Sequence, residues 1–194
     1  MAECIKDVLQ NIQEDCNKPN NGGYTGRAVY IQLDMNPTIT TEADNPRTVT
    51  AITLPTGKKP FTVTNEDITP FTGSNTTSNG DSGRILYTKT VVLRVPQRGS
   101  DVSKNIIEPL TKNRKGFLAI LEKTNTAGNG SFEVVGLQQG LKANADGITR
   151  DEYANGSDYM VTMSTTENFA EAVFFDTDYE TTLAAFNELY NKAV

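Results

Sequence analysis

The sequence predicts an α+β fold that is mainly β: a two-layer β-sandwich or barrel-like domain with N-terminal, middle and C-terminal amphipathic helices and a long projecting hairpin or loop. Three observations predict it. Segments rich in branched and aromatic residues alternate apolar with polar between Gly, Asn and Pro turn signals. Both ends instead repeat apolar residues every three or four positions. The chain of 194 residues, 37% hydrophobic and 22% charged, suffices for one domain over 1–194: a helix at 1–20, a β-rich core at 24–175 with an extended loop at 65–84, and a helix at 176–194.

The first element is a helix of about four turns, because Ile5, Leu9, Ile12 and Cys16 fall on one face. Cys16 counts there as a small apolar residue. Cys4 and Cys16 are twelve residues apart, which is about 18 Å along a helix and too far for a disulfide. With no signal peptide pattern and no apolar run near ~20 residues, this predicts a soluble product of a reducing cytosol, without a membrane partner. Asn20-Asn21-Gly22-Gly23 ends the helix.

Strands follow at Ala28–Leu33, Thr48–Leu54 and Lys59–Thr64. The clearest strand is Arg84–Val95. Ile85, Tyr87, Val91, Leu93 and Val95 share one face, a row that only Lys89 interrupts. At twelve residues it spans about 40 Å, so its N-terminal end is expected to project. Between Pro96 and Gly116 the pattern is helical, with Asp101 or Ser103 as N-cap and Pro109 splitting or ending the helix. Phe117–Lys123, Ser131–Leu137, Tyr159–Thr165 and Ala170–Phe175 complete the strands. Thr177-Asp178-Tyr179-Glu180 has the pattern of a capping box, and Tyr179, Leu183, Phe186 and Tyr190 line the face of a C-terminal helix.

No catalytic constellation emerges. Gly80-Asp81-Ser82-Gly83 has the form of a protease nucleophile loop, but the chain contains no histidine to serve as base. The stretch 142–153 places Asp-Gly as an EF-hand loop does, yet Lys142 and Tyr153 occupy the first and twelfth ligand positions. The carboxylates of 176–180 suit a helix N-terminus better than a metal. Gly128-Asn129-Gly130 precedes a strand, so it offers no helix amides to a phosphate. The reading is non-enzymatic, with no cofactor and no metal. A net charge of −6 with scattered Lys and Arg argues against gripping nucleic acid.

The segment 69–83 has four Thr, three Ser and little to bury, so a lone monomer should leave it disordered. A neighbouring copy of the chain is the favoured partner, with order inside the monomer as the alternative. Phe71, Thr72, Ser74, Asn75, Thr76, Thr77 and Arg84 are the predicted interface. Deleting 72–82 is accordingly expected to weaken assembly and leave the monomer folded.

PFTGSN near residue 70, then VPQRGSDVSKNIIEPL, GFLAILEKT, FEVVGLQQGLKA and RDEYANGSDYMVTMSTTE in order resemble virion structural proteins of tailed phages and prophages of gut Bacteroidetes, over roughly 24–175. Members resemble tail-tube or neck-ring components, rings of one β-rich subunit. The resemblance implies assembly with copies of itself and neighbouring virion proteins, a virion location reached from the host cytoplasm, and DNA passing without specific binding. It also implies a hairpin of 84–95 with about Lys59–Thr69 reaching over the adjacent protomer, and a helix near 101–115 covering the sheet. It supplies no catalytic or cofactor residue. The N-terminal helix with its two cysteines departs from tube proteins of other phages. An acidic lumen, drawn from residues such as Asp34, Glu42, Asp44 or Asp151, would keep DNA from sticking. The alternative is a monomeric β-sandwich binding module for carbohydrate or a receptor.

Overall fold

The computed structural model of the chain describes residues 23–64, 71–80, 85–124, 128–150 and 158–193. The predicted N-terminal helix, with Cys4 and Cys16, lies outside them, as do Arg84, Asp151 and most of the Gly-Asp-Ser-Gly stretch. Among the described residues, eleven strands form two sheets. The large one has seven strands in the order β2 (Thr38–Thr41), β3 (Thr48–Thr53), β11 (Ala172–Phe174), β8 (Phe132–Val135), β7 (Phe117–Lys123), β1 (Tyr24–Gln32) and β4 (Phe61–Thr64). The small one has four, in the order β5 (Phe71–Asn79), β6 (Leu86–Val95), β10 (Tyr159–Glu167) and β9 (Lys142–Thr149). Pairing is antiparallel throughout except between β11 and β3. Both sheets are open, so the described strands make a sandwich without a closed barrel.

The sandwich follows from the period-two pattern of β6 and β10. Val91, Leu93 and Val95 meet Val161 and Met163 on the inner face, packed against Ala28, Tyr30, Phe117 and Leu121 of the large sheet. Each such buried aliphatic or aromatic side chain stabilises the fold by about 1.5–3 kcal/mol. The Tyr30 ring stacks on Phe61 at 5.0 Å, and Phe117 meets Phe61 edge-on at 5.7 Å.

A third layer covers the other face of the large sheet. Helix α3 (Tyr179–Asn191) buries Phe186 and Leu189 there, among Val29, Ile31, Leu118, Ile120 and Phe132. The two covered faces account for β7, which is buried from Phe117 to Glu122 without alternation. Arg27 of β1 fastens the helix: its guanidinium makes a two-pronged bond to Glu122 at 2.6 and 2.7 Å, donates to Asn187 at 3.0 Å and lies 5.3 Å from both the Phe186 and Tyr190 rings.

Several expectations need correction. The Thr- and Ser-rich stretch is largely a strand rather than a loop: Ser74–Asn79 register with Val91–Leu86 of their own chain, so backbone pairing supplies the order that apolar burial could not. The hairpin partner of β6 is therefore 71–79, while Phe61–Thr64 joins the large sheet beside β1. Lys142–Thr149, where no strand was expected, is strand β9. Its Asp146-Gly147 sits in a bulge where Ala143–Ile148 spans only Met163–Val161, and a Cβ on Gly147 would lie 2.6 Å from the Thr162 carbonyl oxygen. The N-cap of α3 is Asp178 rather than Thr177. The carboxylate accepts from Thr181 N at 2.8 Å, which lowers its pKa, and Thr177 takes a φ of 49° ahead of it.

The middle helix begins at Gly99 with no side-chain cap, so neither Asp101 nor Ser103 serves. Pro109 neither splits nor ends it. A π turn, Ser103–Ile107, widens the helix between α1 (Ser100–Val102) and α2 (Glu108–Lys112), so the proline ring enters at the start of the new turn. Ile107 and Leu110 from this helix close one side of the inner core.

Candidate assembly surface

The small sheet ends in two edges. Among the described residues β5 pairs only with β6, and β9 only with β10. An edge strand turns alternate amides and carbonyls away from its one neighbour, as a template for another strand. β5 is long for an edge, nine residues, and contains no Pro, Lys, Arg, Asp or Glu to block such pairing.

Of the predicted interface residues, the backbone of Phe71 and Thr72 lies in β5, and Asn75, Thr76 and Thr77 are exposed along it. Ser74 is half-buried and turned to its own molecule. Its hydroxyl donates to Glu133 Oε1 at 2.5 Å, and Tyr24 donates to Glu133 Oε2 at 2.7 Å. The two hydroxyls lie 3.1 Å apart, and Ser74 N donates to the Tyr24 oxygen at 3.3 Å. Lys123 Nζ completes the cluster, 3.3 Å from Glu133 and 2.6 Å from Glu171. This clasp ties the small sheet's edge to β8 and β1 of the large one.

The electrostatics follow from this enclosure. Burial raises the Tyr24 pKa, and the Glu133 charge raises it further. For Lys123 burial acts downward, but the Glu171 bond and the charges of Glu133 and Glu171 outweigh it and leave the pKa raised. Glu133 is 4% exposed, and an uncompensated carboxylate there would be costly. Nothing in the sequence brought these residues together: Tyr24 and Ser74 lie 50 positions apart, and Ser74 and Glu133 lie 59.

A second buried polar pair lies deeper. Lys89 Nζ is 2.8 Å from Glu167 Oε2, both side chains are fully buried, and neither atom has a further partner among the described residues. Phe169 covers the ammonium at 5.6 Å. The interruption in the inner row of β6 is thus a buried charge with its counter-charge two positions beyond its cross-strand partner, Thr165.

The face of the small sheet turned from the core carries Asn75, Thr77, Thr88, Thr90, Thr162 and Ser164, with Arg94 held to Asp158 at 2.5 Å. Among the described residues no cluster of three or more His, Cys, Asp or Glu is placed to hold a metal, and no helix is long and apolar enough to cross a membrane. A groove of about 630 Å³ runs along the opposite side of the molecule, between α3 and residues 50–59. No family model matches the chain, and no curated protein or solved structure matches it.

Proposed function

We propose that this chain is a non-enzymatic structural protein of a phage virion that assembles through the edges of its small sheet into a ring or tube around a passage for DNA. The observation that carries the reading is the pair of edges, β5 and β9, that have no further strand partner among the described residues, on one four-stranded sheet. Strand directions alternate across that sheet, so β9 of one copy beside β5 of the next continues the antiparallel order. Such a contact is heterologous, and repeating it about an axis closes a ring.

The premise that the arm needs a neighbour for its order falls away, since β5 folds on β6. What favours assembly is now the outer edge of β5 and its freedom from blocking residues. Among the described residues the hydroxyl- and amide-bearing outer face offers no array of cations to hold phosphates, which suits DNA that passes without binding. Asp34, Glu42 and Asp44 lie by the 3-10 turn Leu33–Met35 and the β2–β3 connection, on the large sheet, so the proposed DNA-facing wall draws on hydroxyls instead of these acids. Ring neighbours would be copies of the chain and adjoining virion proteins, brought together in the host cytoplasm.

Sedimentation velocity and negative-stain microscopy at rising concentration test the reading. Rings or tubes are expected from the native chain, and Asn75→Lys with Thr77→Lys should leave folded monomers. A native chain that stays monomeric at its highest soluble concentration, and is missing from purified particles, overturns it. If that monomer binds glycans on an array, the binding-module reading takes its place.

A further inference from the structure

Two of the chain's Asn-Gly pairs fall among the described residues, and the fold holds them differently. Asn79 ends strand β5. It registers with Leu86 of β6, and its side-chain amide donates to Thr88 Oγ1 at 2.8 Å. Asn129-Gly130 lies instead in the turn between β7 and β8, where both residues are exposed and the Asn129 side chain has no hydrogen bond among the described residues. The β7–β8 ladder ends at Glu122 and Phe132, and the one further bond, from Lys123 N to the Ser131 carbonyl at 2.8 Å, stops short of the pair.

This difference bears on a covalent reaction. An asparagine followed by glycine is prone to cyclise, because glycine has no Cβ to shield its own amide. The Gly130 nitrogen gives its proton to solvent base and attacks Asn129 Cγ. The N–Cγ bond forms, the Cγ–Nδ2 bond breaks, and the nitrogen leaves as ammonia with a proton from water. Water then opens the succinimide at Cγ to give aspartate, or at the backbone carbonyl to give isoaspartate. The attack needs the asparagine to leave the extended conformation and swing its side chain over the next amide. Asn129 gives up no strand pairing to do so, whereas Asn79 must first break its bond to Thr88 and peel away from β6.

We propose that Asn129 is a site of spontaneous deamidation, and that the pairing of β5 with β6 shields Asn79 from the same change. At Asn129 the new carboxylate, or the extra backbone methylene of isoaspartate, lands outside the ladder. At Asn79 it would place a charge on an edge strand that has none. The chemistry stands whether or not that edge assembles.

Peptide mapping by mass spectrometry tests it on the full chain, held native in mildly alkaline buffer and sampled over days, with aspartate and isoaspartate resolved by chromatography. Asn129 should convert at least about tenfold faster than Asn79, since local opening must precede reaction at Asn79. In denaturant the two rates should converge. Gly130→Ala adds a Cβ that meets nothing within 4 Å, so it should slow conversion at Asn129 and leave Tm unchanged. Thr88→Val should speed conversion at Asn79 and leave Asn129 as it was. Equal rates at the two sites in the native chain, or a faster Asn79, overturn the proposal. A ratio that persists unchanged in denaturant also overturns it, because local sequence and not the fold would then set the difference.

Discussion

Ser74 on β5 and Glu133 on β8 are joined by a 2.5 Å hydrogen bond across the two sheets, so the edge of the small sheet is held to the body by one carboxylate. Ser74→Ala leaves Glu133 short of a donor and should destabilise the protein by about 1–3 kcal/mol. At this chain length that lowers Tm by roughly 2–4 °C per kcal/mol. Calorimetry measures the loss, and amide exchange should show β5 opening before β6. The earlier expectation that 72–82 can be deleted without harm to the monomer gives way to this one.

The clasp also makes stability depend on alkaline pH. Tyr24 has a pKa raised above its ordinary 10.0, so its neutral form is favoured in the fold. That contribution is fully present below pH 10 and is lost as pH rises, because the unfolded phenol ionises first. Lys123, raised above 10.5, acts in the same direction. Chemical denaturation from pH 8 to 11 should show declining stability, and Tyr24→Phe should flatten the decline (ordinary phenol value 10.0).

Lys89 and Glu167 should behave as a pair. Lys89→Met or Glu167→Gln alone strands a buried partner and should destabilise by about 3–5 kcal/mol, whereas the double variant should recover most of the loss. Additive losses in a denaturant double-mutant cycle would contradict the pairing.

Tyr30 is fully buried and its hydroxyl has no partner among the described residues, an enclosure that raises its pKa. Tyr30→Phe keeps the stack on Phe61 and removes a hydroxyl whose burial costs about 1–3 kcal/mol when unpaired. The variant should melt at the same temperature or higher. A clear drop in Tm shows that the hydroxyl is bonded after all.

Phe186→Ala should be severe, about 3–5 kcal/mol, because the ring is fully buried against Phe132 at 4.9 Å and beneath the Arg27 guanidinium. Thermal melts of this variant and of Thr77→Lys separate the fold from the edge: the first should lose stability and the second only assembly.

Much of this architecture was legible in local pattern. Alternation in Leu86–Val95 and the 3.6-residue repeat of Tyr179–Asn191 survive in the fold because one face of each is buried. The unbroken apolar run Phe117–Leu121 was the available signal for a strand covered on both faces, hence for a third layer. β5 was missed because weighing apolar residues overlooks a strand ordered by backbone pairing, to which its threonines are well suited. β9 was missed because Asp-Gly marks both a turn and a bulge, and only the register with β10 tells them apart. The clasp of Tyr24, Ser74, Glu133 and Lys123 joins residues with no local spacing rule, so only the packed sheets bring it into view.

The account rests on the outer edge of β5 taking up a second copy of the chain. Amide hydrogen exchange read residue by residue over 75–79, in dilute and in concentrated protein, tests this most directly. The account predicts that the outward-facing amides exchange freely when dilute and become protected as concentration rises, in step with β9. Outward amides that exchange equally fast at every concentration, or protection that spares β9, would contradict it.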